Sequence, residues 1–112
     1  MIDEYNFGEI VVDGIKYDYD VMIFDKKVER WKRRESHYVF VDEIEKAISL
    51  NPEIIVIGNG YSGVMKIDKK VKEEIEKRKI KLILQTTRIA VKTFNDLLKE
   101  KKKVVGLFHL TC

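Results

Sequence analysis

The second half of the sequence alternates short apolar runs with charged, amphipathic stretches, and no other feature constrains the fold as strongly. The run at 53–57 reads EIIVI, and comparable runs occupy 80–84 and 104–110. Runs of this kind, rich in β-branched residues, are typical of strands that are buried on both faces by helices. Because helical segments separate the middle strands, we predict right-handed crossovers and parallel pairing between them.

Three helices are predicted from their start signals. Asp42 is followed by Glu45 in the spacing of a capping box, which predicts the first helix. Asp68 is expected to cap the second helix, and Thr86 or Thr87 is expected to cap the third and longest one. Each predicted helix has one apolar face, as expected for helices that pack on a sheet.

The first part of the chain has the pattern of a β meander. Apolar and polar residues alternate from Glu9 to Val12, and Asp13-Gly14 is a hairpin signal. A short apolar run at 21–24 and a possible strand at 28–31 follow. With the helices and strands downstream, this pattern predicts one undivided α/β domain that spans residues 1–112.

Composition narrows the class of protein without identifying a function. Charged residues make up 37% of the chain, mostly lysine and glutamate, as in many heat-adapted proteins. The net charge is only +3, lower than most nucleic-acid-binding domains carry. We expect a cytoplasmic protein without a membrane anchor, for three reasons. The chain has a single cysteine, it shows no signal-peptide pattern, and it has no apolar run near 20 residues in length.

Four stretches, in their order and spacing, resemble one protein family: Phe7-Gly8 with Gly14 and Tyr17, VIGNG at 56–60, QTTRIAVKTFN at 85–95, and GLFHLTC at 106–112. This family consists of small domains of unknown function from archaea, bacteria and eukaryotes. It includes the animal adipogenesis-associated domain-containing protein and a mitochondrial assembly factor for respiratory complex I.

The resemblance implies a three-layer α/β fold with a central mixed sheet, in which the last strand runs antiparallel to its neighbours. It implies no established reaction and no cofactor. For the mitochondrial member, the implied role is to bind other proteins during assembly.

A glycine-rich segment follows the strand at 53–57 and matches G-x-G-x-x-G. In dinucleotide-binding proteins such glycines let the pyrophosphate approach a helix N-terminus. Here the next helix is predicted to begin only after Asp68, and the following strand ends in Gln85 rather than in an acid. We therefore expect the glycines either to form a tight connection or to present N–H groups to a small anion.

Parallel strands end at the same edge of a sheet, where ligands bind in open α/β folds. The residues that follow the two buried strands are therefore candidate ligand-binding residues: Gly58, Asn59, Gly60, Tyr61, Ser62, Gly63, Gln85 and Thr86.

His109 and Cys112 form an H-x-x-C sequence at the end of the chain. A cysteine beside a histidine can act as a nucleophile, so one interpretation is a catalytic pair. The alternative is a thiol without a partner and a histidine hydrogen-bonded at the sheet edge. We predict no metal site, because structural zinc needs more Cys and His ligands than the chain supplies.

The segment 30–38 mixes basic and aromatic residues, and it offers three interpretations. Such mixtures bind phosphate backbones and stack on bases. The same mixture also fits an exposed loop with one buried tryptophan. The resemblance to the family, whose members carry Trp and Arg in this segment, implies that Trp31 and Arg34 line the same site as the glycine-rich segment, where a guanidinium suits a carboxylate or a phosphate.

Three hypotheses for function follow from these features. The first is a non-enzymatic protein-binding or assembly module. The second is an enzyme or sensor that binds a small anion at residues 58–63, and the third is weak binding of nucleic acid. The sequence leaves open whether the chain forms a homo-oligomer.

Overall fold

The computed structural model covers residues 1–112, and its centre is a five-stranded mixed sheet. In spatial order the strands are β5 (Lys27–Arg30), β4 (Val21–Phe24), β10 (Val104–His109), β7 (Ile54–Asn59) and β9 (Lys81–Gln85). The last strand of the chain therefore lies in the middle of the sheet, where both of its edges are paired.

The strand β10 pairs differently with its two neighbours. It runs antiparallel to β4 and parallel to β7, and β7 is in turn parallel to β9. The prediction of antiparallel pairing is thus correct towards β4 and wrong towards β7. The reason is that the helices α2 (Lys69–Lys77) and α3 (Thr87–Lys99) return the chain to the same end of the sheet before β9 and β10 begin.

Two further layers cover the faces of the central sheet. Ile55, Ile57 and Leu107 pack on one face against α2 and the short helix α1 (Glu45–Ser49). Val56 and Phe108 pack on the other face against α3 and a separate three-stranded antiparallel sheet. The strands of that smaller sheet are β1 (Ile2–Asn6), β2 (Glu9–Val12) and β3 (Ile15–Tyr17). The predicted three-layer α/β fold is confirmed.

The first predicted helix begins later than the capping-box pattern suggests. Residues Val41–Glu43 form a single 3₁₀ turn, and α1 starts only at Glu45. The carboxylate of Asp42 accepts a hydrogen bond from Arg34 at 2.6 Å and caps no helix, whereas the side chain of Glu43 accepts the N–H of Phe40 at 2.9 Å at the start of the 3₁₀ turn.

The starts of the other two helices agree with prediction. Asp68 caps α2 and accepts a hydrogen bond from the N–H of Lys70 at 2.9 Å. Thr86 is the residue that precedes α3, but its hydroxyl makes no capping hydrogen bond. The longest helix is α3, with 13 residues, and none of the helices has the length and apolar composition needed to cross a membrane.

One pairing was not predicted from sequence. The two-residue strands β6 (Tyr38–Val39) and β8 (Lys66–Ile67) pair in parallel. Because β8 follows the glycine-rich segment, this pairing attaches the chain around residue 37 to the chain around residue 66. It therefore brings two regions with candidate functional residues close together.

Candidate functional site

The glycine-rich segment 58–63 lies at the edge of the central sheet where β7 and β10 both end. The residues after β10 run alongside it. The N–H of Tyr61 donates to the carbonyl oxygen of Thr111 at 2.7 Å, and the N–H of Val64 donates to that of Cys112 at 3.2 Å. Residues 111–112 therefore pack against the loop on which the predicted site depends.

Gly60 is the position at which this packing requires a glycine. Its φ angle is +107°, and a Cβ atom there would lie 2.4 Å from the carbonyl oxygen of Cys112. Its N–H donates to the buried hydroxyl of Thr87 at 2.8 Å. The glycine thus allows two backbone segments and the start of α3 to meet.

The structure brings the loop and the end of β9 together, as the parallel pairing predicts. Gly58 is the register partner of Gln85, and the methyl group of Thr86 lies 3.2 Å from where a Cβ of Gly63 would be. The side chain of Gln85, however, accepts a hydrogen bond from Thr93 at 2.7 Å. This amide oxygen is therefore already used within the chain.

Most N–H groups in and directly after the loop also donate hydrogen bonds to other atoms of the protein. Those of Gly60, Tyr61, Gly63 and Val64 all donate to oxygen atoms of the protein. Ser62 is exposed, and the side-chain oxygen of Asn59 is buried without a hydrogen-bond partner. The loop thus differs from a nest of free N–H groups, which is the arrangement that binds an anion.

His109 and Cys112 do not form the pair considered from sequence. The Nδ1 atom of His109 lies 2.8 Å from Oδ2 of Asp20, because Asp20 immediately precedes β4, the antiparallel neighbour of β10. The Sγ atom of Cys112 instead lies 3.5 Å from Nε2 of His37, the other histidine of the chain. No three His, Cys, Asp or Glu side chains converge in a way that would hold a metal ion.

Asp20, Arg33 and His109 form a cluster of buried ionisable groups that sequence reasoning missed. The side chains of Arg33 and His109 are each 4% exposed, and that of Asp20 is 18% exposed. Oδ2 of Asp20 accepts a hydrogen bond from Nη2 of Arg33 at 2.8 Å, and Oδ1 accepts from the N–H of Leu110 at 2.9 Å. Nδ1 of His109 lies within hydrogen-bond distance of both Oδ2 of Asp20, at 2.8 Å, and Nη2 of Arg33, at 2.7 Å. Burial alone would raise the pKa of Asp20, but the hydrogen bonds from His109, Arg33 and Leu110 outweigh burial and lower the pKa below its usual range.

Arg33 also organises the loop that follows it. Its guanidinium donates to the carbonyl oxygens of Glu35, Ser36 and Tyr38, at 2.7, 3.2 and 3.3 Å. Arg34, which sequence analysis singled out, lies at the surface and pairs with Asp42. The sequence does not show which of these two adjacent arginines is buried. Arg33 is the buried one because it pairs with Asp20, which is distant in the sequence.

Trp31 and Arg34 lie at a cleft of about 400 Å³ that also includes His109 and Thr111. Trp31 belongs to the core on the α1–α2 face, and its Nε1 donates to the carbonyl oxygen of Glu43 at 2.8 Å. None of the residues 58–63 lines this cleft. The cleft nevertheless adjoins the glycine-rich segment through Thr111, whose carbonyl oxygen accepts the N–H of Tyr61.

An exposed group of three contacting side chains stands on the edge that carries the loop. Phe7 is 56% exposed and Tyr61 is 45% exposed, and their rings meet edge to face with centroids 5.8 Å apart. The guanidinium of Arg88 lies 4.9 Å from the Tyr61 ring and donates to its hydroxyl at 2.8 Å. We call these three residues the aromatic edge. Of these three residues, only Tyr61 was predicted from the sequence as a site residue.

Tyr5 lies close enough to Arg88 and Tyr61 for their charges to act on its phenol. Its hydroxyl donates to the carbonyl oxygen of Leu110 at 2.8 Å, and burial raises its pKa to about 12. The phenol therefore stays protonated and remains a hydrogen-bond donor across the neutral pH range.

Solved structures of several proteins share this fold. A conserved hypothetical protein from Pyrococcus horikoshii is 26% identical, with a TM-score of 0.91 over 100% of this chain and 99% of that one. A protein from Bartonella henselae that is described as an outer membrane protein is 19% identical, with a TM-score of 0.84 over 99% and 94%. A Mth938-like domain from Bordetella pertussis is 14% identical, with a TM-score of 0.79 over 97% and 84%.

The sequence also matches a protein-family model along nearly its whole length. The model spans residues 2–109 and describes proteins of unknown function. It therefore covers the central sheet, the three helices and the cluster of Asp20, Arg33 and His109. The chain belongs to the DUF498/DUF598 family of proteins of unknown function.

Proposed function

We propose that this protein is a non-enzymatic protein-binding module and that the aromatic edge is its contact surface. The observation that carries the proposal is that Tyr61 contacts both Phe7 and Arg88 at the surface. Aromatic residues and arginine are enriched at protein interfaces and among the residues that contribute most to binding energy.

The backbone positions that carry this surface are fixed. The N–H of Gly8, next to Phe7, donates to the carbonyl oxygen of Leu110 at 2.8 Å. Tyr61 is held in the same way by its hydrogen bond to Thr111. A surface that is ordered before binding loses less entropy when a partner docks, which favours affinity.

The charge of the aromatic edge indicates the chemistry of the partner. Arg88 lies in the first turn of α3, where the helix dipole is positive and no acidic side chain is present. A partner segment that places a carboxylate beside an apolar side chain matches the guanidinium, the helix end and the two rings together. The partner we propose is therefore a protein segment with this acidic and apolar character.

A photo-crosslinking experiment tests this proposal. The photoreactive residue p-benzoylphenylalanine is placed at Phe7 in one variant and at Ile15 in a matched control, in cells that express the chain at its native level. Ile15 is 58% exposed and lies on β3, at the end of the small sheet away from the Phe7 turn. We expect a discrete adduct from position 7, none from position 15, and loss of the adduct when Arg88→Glu is added. Identical adduct patterns from both positions would contradict the proposal.

A second candidate function, the binding of a small anion, is favoured by a different feature. Arg30 and Lys32 line the 400 Å³ cleft, and neither forms a salt bridge. Thermal unfolding with inorganic phosphate or citrate tests it, since a ligand at a hundred times its Kd adds about 2.7 kcal/mol of stability. An increase in the unfolding temperature that Lys32→Gln removes would favour the anion. No increase would favour the protein-binding function.

A further inference from the structure

We propose that Cys112 is a reactive thiol, activated by His37, that forms mixed disulfides with small disulfide compounds. Its Sγ atom lies 3.5 Å from Nε2 of His37. A thiol at this distance from an imidazole can transfer its proton, and the thiolate is the nucleophilic form of cysteine.

The chain holds both members of this pair through one segment. The carbonyl oxygen of Cys112 accepts the N–H of Val64 and lies against Gly60. The carbonyl oxygen of His37 accepts the N–H of Lys66 at 2.9 Å, at the start of the β6–β8 pairing. Because residues 60–66 contact both partners, the thiol and the imidazole are brought together by the fold and not by chance contact of two free side chains.

The pair is also open to a reagent from solution. His37 is exposed, and Cys112 is partly exposed. Buried cysteines are usually inert, whereas accessible cysteines beside a base react selectively. His109 does not compete for the thiol, because its Nδ1 is bound to Asp20 and its Nε2 lies 3.4 Å from the hydroxyl of Thr111.

The reaction balances without any further cofactor. Nε2 of His37 takes the proton of the Cys112 thiol, and the thiolate attacks one sulfur of the small disulfide. A new S–S bond forms to Cys112, the S–S bond of the reagent breaks, and the released thiolate takes up the proton. The protein thiol is oxidised, and half of the small disulfide is reduced to a thiol.

The test uses the reagent 5,5′-dithiobis(2-nitrobenzoate), which releases a coloured thiolate on exchange. Cys112 is the only cysteine of the chain, so the colour reports this thiol alone. At pH 7 we expect the folded wild-type chain to react at least roughly tenfold faster than His37→Gln, since a positioned base contributes about 10²–10⁴ to a rate in a more enclosed site. The control Lys66→Gln keeps the backbone hydrogen bond to the carbonyl oxygen of His37 and changes only an exposed side chain, and we expect its rate to stay within about twofold of wild type.

A second comparison keeps the test decisive if a variant is poorly folded. In guanidinium chloride the imidazole and the thiol separate, so wild type and His37→Gln should react at one common rate. The folded wild-type chain should exceed that rate. Equal rates for folded wild type and folded His37→Gln, or a folded wild-type rate no higher than the denatured one, would overturn the proposal.

Discussion

The hydroxyl oxygen of Thr87 lies 2.6 Å from the carbonyl oxygen of His109, and the same hydroxyl accepts the N–H of Gly60 at 2.8 Å. Thr87 is fully buried in the first turn of α3. One side chain therefore joins the end of β10 to α3 and to the glycine-rich loop, the two elements that carry Arg88 and Tyr61 of the aromatic edge.

Replacing Thr87 tests this junction. Thr87→Val keeps the shape of the side chain but leaves a buried N–H and a buried carbonyl without partners. Each of the two stranded groups costs about 1–3 kcal/mol, so we expect the free energy of unfolding to fall by roughly 2–6 kcal/mol in urea titrations. Thr87→Ser keeps the hydroxyl and is the control, with an expected loss of about 1 kcal/mol for the missing methyl group. Equal losses for the two variants would contradict the role of the hydroxyl.

Adjacent arginines should differ sharply in their contribution to stability. Arg33→Met removes the guanidinium from a buried carboxylate, and breaking a buried pair in this way costs about 3–5 kcal/mol. Arg34→Met removes a surface partner of Asp42, and we expect little change because solvent and salt screen exposed pairs. Urea unfolding of both variants measures the difference, and similar midpoints would show that the Asp20–Arg33 pair contributes nothing.

The lowered pKa of Asp20 predicts how stability depends on acid. The folded chain keeps this carboxylate ionised below its ordinary pKa of 3.8, so the unfolded chain binds more protons as the pH falls past that value. Stability from Asp20 is therefore complete above this range and is lost as the pH decreases towards the folded pKa. We expect the free energy of unfolding of Asp20→Asn to be lower than wild type at pH 7 and to fall less steeply below pH 4. Parallel profiles for the two proteins would contradict the assignment.

Most of the fold could be predicted from the sequence, because its strands and helices follow local patterns of apolar and polar residues. Residues 54–57 and 104–110 are buried as the pattern requires, and Asp68 caps its helix. The run at 80–84 was predicted as a strand buried on both faces, and this is wrong, because β9 lies at the edge of the sheet and Leu84 is 36% exposed. The direction of β10 relative to β7 was assigned wrongly from the resemblance. The rule that makes β7 and β9 parallel applies to β10 as well, because the helix α3 lies between β9 and β10.

The residue pairs of the candidate site were harder to predict from the sequence, because each pair joins residues that are far apart along the chain. Asp20 and His109 are 89 positions apart, and His37 and Cys112 are 75 positions apart. Local spacing, which suggested His109 and Cys112 as a pair, carries no information about such contacts. The surface partners of Tyr61 are likewise supplied by a turn near the start of the chain and by the first turn of α3.

Gly14 and Gly60 both have positive φ angles, but only Gly60 is closely approached by another segment. Comparing their alanine variants therefore distinguishes the loss of stability caused by backbone strain from the loss caused by a steric clash. Gly14 has a φ of +83° and no atom within 4 Å of a Cβ placed on it, so Gly14→Ala adds only the strain of an L residue, about 1–2 kcal/mol. Gly60 has a φ of +107°, and Gly60→Ala adds a clash with the carbonyl oxygen of Cys112. Because overpacking costs about 1–3 kcal/mol, we expect Gly60→Ala to lose at least about 1 kcal/mol more than Gly14→Ala in urea unfolding. If the two alanine variants lost the same stability, residues 111–112 would not be packed on the loop as the structure shows, and the fixed position of Tyr61 would lose its physical basis.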